Sequence, residues 1–325
     1  MVQTVSSGSK PCNQTFSEKE RSCEFLFREA EDKAGGFWHV CTPGNLTEIM
    51  NISESDYKFA VSNMAISAYE SSVIVITDNQ MENHFHGLLG GSRQQCLEFV
   101  DRFRYRQTKY FASIGRYVDL RKFRCDDPIP ITNLEMIRNE IVYINRNGFV
   151  SDTRFLPFSY PWGGGNLYFN PFAQKETGIP FNDIPFKEKR YFCRRRINDL
   201  PVNYRVKEGM ILPASYVDYK VGESFFRDSH HYLNALTKNV EVYCQEAVRF
   251  ADSIVLSREE MYPAVKMICE RDYNVKQPSL LAPVDKLAVA RIMHYDYRAS
   301  NAQIRMILKM SEYEVNSLFP LKVCK

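Results

Sequence analysis

The spacing of apolar and polar positions divides the chain into short blocks. Residues 37–41 alternate as a half-buried strand does, and Thr42, Pro43 and Gly44 end them. Ser53 stands where a helix cap is needed for a helix over about 54–69, with Asp56 three positions on completing a capping-box-like signal. The β-branched run 73–77 predicts a strand, the polar residues 78–83 a turn, and 84–89 a second strand closed by Gly90 and Gly91. Ser92 caps a long helix to about 114. The stretch 117–123 alternates as a further strand, and Asn133 caps a helix over 134–147, which Gly148 is expected to end.

Strand, helix, hairpin, helix, strand, helix is the order of an α+β domain. The expected fold is a ferredoxin-like antiparallel sheet with helices on one face. Around it, the pattern divides the chain into an N-terminal extension over 1–34, the α+β domain over 35–165, an irregular basic connector over 166–223 and a mainly helical domain over 224–325. In the last, Ser300 and Ser311 cap short helices whose spacing fits a helix-turn-helix as well as a plain bundle. Residues 18–33 can form a helix of no evident role.

Composition adds limits. A hydrophobic fraction of 44% and a charged fraction of 25% are those of a globular protein, and no apolar run approaches the roughly 18 to 20 residues of a membrane span. The first residues lack the apolar core of a signal peptide. Nine cysteines without a CxxC pair argue against a zinc knuckle and a secreted disulfide framework. The expected compartment is the cytoplasm.

A net charge of +3 does not announce a nucleic-acid partner, but its distribution does. Residues 93–124 carry nine Lys or Arg against three Asp or Glu, interleaved with Phe103, Tyr105, Tyr110, Phe111 and Tyr117. Arg93, Arg102, Arg104, Arg106, Lys109 and Arg116 are the candidate DNA contacts, because cations neutralise phosphate and rings stack on unpaired bases. A second basic run lies at 187–196. A solvated helix face would explain either run equally well.

Two segments carry candidate chemistry. In a strand, His84 and His86 point to one face and Phe85 and Leu89 to the other, which leaves two imidazoles for one cation or for structural hydrogen bonds. In the helix over 134–147, Leu134, Ile137, Ile141 and Ile144 form a buried stripe. Glu140, Tyr143 and Asn147 form a second, with Tyr143 and Asn147 one turn apart. Alone, that helix reads equally as an amphipathic helix with a half-buried tyrosine.

Together these segments resemble a known family. MENHFHGLL (81–89) is similar to the histidine motif of the single-tyrosine HUH transposases. VYINRNGFV (142–150) followed by FSYPWG (158–163) resembles the tyrosine-helix segment of the REP-associated tyrosine transposases. The resemblance covers residues 37–165. It implies that Tyr143 is the nucleophile, that His84 and His86 are metal ligands, and that Asn147 is the third ligand. Gln80, Asn83 and Glu140 are candidates to support those ligands. Glu82 replaces the usual proline of the histidine motif, and the family's Pro after the tyrosine-helix Asn is missing at Gly148. A shifted register would place Ile141 at the nucleophile position.

The resemblance implies a DNA transposase, or site-specific single-strand endonuclease, working on single-stranded or hairpin DNA through a 5′-phosphotyrosine. Mg²⁺ or Mn²⁺ is the expected cofactor. No nucleotide cofactor is expected, as the covalent link stores the bond energy and no P-loop is visible. Family members work as dimers or monomers, so a homodimer is one expected partner state, and no membrane partner is expected. The alternatives are a catalytically silent or domesticated DNA-binding protein on the same scaffold, a phosphoesterase using water, and a helical interaction protein.

Overall fold

The alternating stretch at 37–41 and the hairpin that follows form the centre of a four-stranded antiparallel sheet. The structure, a computed structural model, describes residues 15–42, 48–151, 155, 159–193, 200–238, 258–297 and 299–320. The strands are β1 (Phe37–Cys41), β2 (Ile74–Gln80), β3 (Phe85–Gly90) and β4 (Ile129–Ile131), in the order β2-β3-β1-β4. Helix α1 (Phe16–Ala34) precedes β1, α2 (Glu54–Ser71) joins β1 to β2, α3 (Arg93–Ser113) joins β3 to β4, and α4 (Leu134–Ser151) follows β4. The chain is therefore α+β, with every strand pair antiparallel.

Helices cover both faces of this sheet, not one. Val40, Val75, Phe85 and Leu89 pack with α2 and α3, whereas Phe37, Ile76 and Leu88 pack with Leu134, Ile137 and Ile141 of α4. The reason lies in the strands. All six residues of β3 and six of the seven in β2 are buried, so neither face can be left to water.

A bulge in β2 sorts its polar end. The register with β3 shifts between Val75 and Thr77, which inserts one residue. Beyond it Thr77 and Asn79 face α4, bonding Asn145 Oδ1 at 2.5 Å and the Ile144 carbonyl at 2.9 Å. Asp78 points the other way and accepts a hydrogen bond from the Tyr216 hydroxyl at 3.2 Å. Burial pushes the Asp78 carboxyl up to about 7. Its raised value means the folded state binds the proton more tightly than the unfolded chain. Stability from this group is full below pH 3.8 and is lost as pH rises towards 7. Asp78→Asn is expected to raise the stability at pH 8 by an amount on the order of a few kcal/mol and to change it little at pH 4. Thermal unfolding at the two pH values checks this.

Three other expectations change. Residues 117–123 form no strand. Val118, Leu120 and Phe123 are buried against the α3 core, and Phe123 stacks on Phe103 at 5.6 Å, but the edge ladder goes to β4 instead. Pro130 in β4 is tolerated because that strand is an edge. Helix α4 continues through Gly148 to Ser151. Gly148 serves close packing here: a Cβ would stand 2.5 Å from Tyr160 Cβ.

The N-terminal helix is docked. A capping box of Thr15 and Glu18 starts α1, and Phe27 lies 6.0 Å from Phe37 and 5.9 Å from Phe225. Helix α2 is buried nearly all round, because a second sheet lies outside it. That sheet, β5 (Ile179–Pro180), β6 (Arg205–Lys207) and β7 (Met210–Ile211), occupies the supposed connector, and Ile211 N–H donates to Ser62 Oγ at 3.0 Å. After it come α5 (Pro171–Gln174) and α6 (Phe186–Cys193), earlier in the chain, then α7 (Tyr219–Ser224) and α8 (Ser229–Lys238). Asn145 of α4 donates to the Tyr232 hydroxyl of α8 at 3.0 Å, so a boundary at 224 would cut through packed contacts. Helices α9 (Arg258–Tyr273), α10 (Pro283–Tyr295), α11 (Asn301–Leu308) and α12 (Glu312–Leu318) complete the described chain. Capping boxes at Ser300 and Ser311 start the last two.

Candidate functional site

Helix α4 lays one face on the sheet, and four histidine-bearing or acidic positions meet there. Strand alternation puts His39 and Cys41 of β1 on that face, and the register pairs Cys41 with His86 and Asn79 with His86. His84 precedes β3 by one residue. It nevertheless shares the face, with its Nε2 3.2 Å from His86 Nε2. Glu140 of α4 meets His39 Nδ1 through Oε1. The Tyr143 ring stands edge-on to His86 at 5.3 Å and 6.1 Å from His39.

The contacts form one line: Glu140 to His39, His39 Nε2 to His86 Nδ1 at 3.3 Å, His86 Nε2 to His84 Nε2 at 3.2 Å, and His84 Nδ1 to Asn83 Oδ1 at 2.8 Å. Hydrogen-bond chemistry constrains its protons. A carboxylate and an amide oxygen only accept, so His39 Nδ1 and His84 Nδ1 each carry a hydrogen. If His86 donates from Nδ1 to His39, then both Nε2 atoms at the other end present lone pairs to each other. Two lone pairs at 3.2 Å repel unless a cation or a shared proton lies between them.

Residues His39, Cys41 and His86 form a second grouping. Their ligand atoms lie within 4.8 Å of one another and could hold a metal ion. His39 and His86 are buried and Cys41 is partly so. Among the described residues this is the group of His, Cys, Asp or Glu that could do so.

The structure thus brings together His84, His86, Tyr143, Asn83 and Glu140 from the sequence reading. Asn147 is buried one turn beyond Tyr143. Ile141 is buried in the apolar core, away from the nucleophile position that a shifted register would give it. Gln80 does not join the site. It lies beyond the bulge on the α2 side, paired with Phe85, and its amide donates to Asp78 at 3.4 Å. His39 and Cys41 were not foreseen. Their strand was legible, but its neighbours and register are set by the sheet and not by local pattern.

The basic segment also reads differently. Helix α3 lies on the sheet face opposite Tyr143, and Phe103, Tyr110 and Phe111 are core residues, leaving Tyr105 and Tyr117 exposed. Arg106 is buried and pairs with Glu70 at 2.6 Å, and Arg116 pairs with buried Asp56 at 3.0 Å and reaches the Met50 carbonyl. Arg93 and Arg104 pair with Asp127 and Asp101, each at 2.8 Å, and Arg102 stands 3.9 Å from Glu70. Lys109 lies over the Tyr105 ring at 5.4 Å. A helix that buries its aromatic face must aim its cations at nearby carboxylates, which leaves less charge for phosphate. Arg106→Ala is expected to lower stability by about 3 kcal/mol by stranding Glu70. Denaturant unfolding measures that loss. Of the second basic run, residues 194–196 lie outside the described residues.

Comparison of the chain with protein-family models, with curated proteins and with solved structures gives no match in any of the three.

Proposed function

We propose that this chain is a metal-dependent tyrosine DNA-strand transferase of the HUH type, cutting and rejoining single-stranded or hairpin DNA. The observation that carries the reading is the meeting of Tyr143 with His86 and His84 on one sheet face. The strand order β2-β3-β1-β4 with its β-α-β-β-α-β connection supports a ferredoxin-like frame.

The histidine pair suits a hard divalent ion. At a metal–nitrogen distance of about 2.1–2.2 Å, the 3.2 Å separation corresponds to a ligand angle of roughly 95–100°, near that of an octahedral set. His84 and His86 would hold Mg²⁺ or Mn²⁺, with Asn147 as further ligand. The ion would supply charge to polarise the scissile phosphate.

In the proposed step, Tyr143 Oη bonds to phosphorus as the bond from phosphorus to the 3′-oxygen breaks. The phenol loses its proton and the 3′-oxygen gains one. The products are a 5′-phosphotyrosine and a 3′-hydroxyl, and attack by that hydroxyl reverses the exchange without a nucleotide triphosphate. Glu140 and His39 hold the His86 ring in place from behind.

A second reading, a scaffold that binds DNA without cutting it, is favoured by burial. Tyr143 and His86 are each 1% exposed, so a phosphodiester must displace part of the cover to reach them. Incubating the protein with Mn²⁺ and hairpin oligonucleotides from the flanks of its gene separates the two. A protein–DNA species surviving a denaturing gel is expected; retained binding without that species would favour the silent scaffold.

A further inference from the structure

We propose that His39 Nε2, His86 Nδ1 and Cys41 Sγ form a site for a thiolate-preferring tetrahedral cation, Zn²⁺, distinct from the His84–His86 position. The two positions would use opposite nitrogens of the same imidazole.

The geometry differs between them in a way that selects the ion. His39 Nε2 and His86 Nδ1 are 3.3 Å apart. With zinc–nitrogen distances of about 2.0–2.1 Å this corresponds to a ligand angle of roughly 104–111°, the tetrahedral range. Cys41 brings sulfur to the same group, within 4.8 Å of both nitrogens. A thiolate is a soft ligand that favours zinc strongly over magnesium or manganese. Behind His39, Glu140 accepts the Nδ1 hydrogen, the carboxylate–histidine arrangement that orients a zinc-binding imidazole and makes its other nitrogen a better donor. The site lies in a buried wall of the sheet, where a lone thiolate would be costly and a paired one is not.

Occupation has a consequence for His86. With its Nδ1 bound, that ring carries its hydrogen on Nε2 and donates it to His84 Nε2. The lone-pair facing of the two Nε2 atoms is lost, and with it the position for Mg²⁺ or Mn²⁺. Zn²⁺ is therefore an antagonist of Mn²⁺ at this centre. That second part rests on the reading given under Proposed function, whereas the zinc site does not.

Co²⁺ is the probe, because a tetrahedral cobalt–thiolate centre shows intense visible bands and a sulfur-to-cobalt charge-transfer band that octahedral cobalt lacks. Titration of the reduced full-length protein is expected to give these bands at one equivalent, and one equivalent of Zn²⁺ is expected to abolish them. Cys41→Ser should remove the charge-transfer band. Cys125→Ser should retain it, although the Cys125 thiol bonds the Cys41 backbone. A wild-type spectrum without the band, or a band that survives Cys41→Ser, would overturn the site. Zn²⁺-loaded protein should bind Mn²⁺ at least tenfold more weakly by electron paramagnetic resonance titration. Unchanged Mn²⁺ affinity beside an intact cobalt band would overturn the antagonism alone. Failure of DNA cutting would leave the cobalt result standing.

Discussion

Tyr143→Phe is expected to abolish the covalent DNA adduct while the protein stays folded and keeps its DNA affinity. Only the attacking oxygen is removed, and the ring that packs against His86 and His39 remains. The stability cost should be about 0.5–1.5 kcal/mol, that of one net hydrogen bond. A phenol of ordinary pKa near 10 is a weak nucleophile, so no other residue at the site replaces it. Denaturing gels and thermal unfolding, run on the same preparation, give both readouts. Adduct formation by the phenylalanine protein would move the nucleophile to another tyrosine. Tyr110 and Tyr160 are poor candidates, as Tyr110 bonds Asp56 on the far side of the sheet and Tyr160 bonds the Gln80 carbonyl.

Glu140→Gln carries the second large effect. The carboxylate fixes His39 and, through it, His86. An amide keeps the size and one acceptor but removes the charge. Mn²⁺ affinity should fall by about 10–100-fold, as is typical when the group behind a ligating histidine is changed. Adduct formation at low Mn²⁺ should fall in proportion and recover at high Mn²⁺. A merely structural role for Glu140 would lower the unfolding temperature and leave Mn²⁺ affinity unmoved, so calorimetric titration beside thermal unfolding separates the two.

The sequence made some of this legible and not the rest, for physical reasons. Strands β1, β2 and β3 and helices α2, α3 and α4 follow from periodicity and from Ser53, Ser92 and Asn133 at the caps. His84 and His86 share a face because strand side chains alternate, and Tyr143 lies on the sheet-facing stripe of α4 because helical spacing puts it there. Strand neighbours are a different matter. His39 meets His86 only because β1 pairs with β3, a long-range choice that no local pattern encodes. The bulge after Val75 sends Gln80 away from the histidines, and a single inserted residue of that kind leaves no mark in the composition. Charge counting misled for a related reason. Arg106 and Arg116 looked like phosphate contacts by number, but their carboxylate partners, Glu70 and Asp56, come from α2.

The measurement that bears most directly on the central claim is the identity of the residue that carries the DNA. Wild-type protein would be incubated with Mn²⁺ and a hairpin oligonucleotide, the covalent species isolated, digested with nuclease and protease, and the nucleotide-bearing peptide sequenced by mass spectrometry. The expected result is a 5′-phosphotyrosyl nucleotide on Tyr143, in a peptide from α4. A nucleotide on any other residue, or isolated complexes that fall apart on denaturation with no modified peptide, would contradict it.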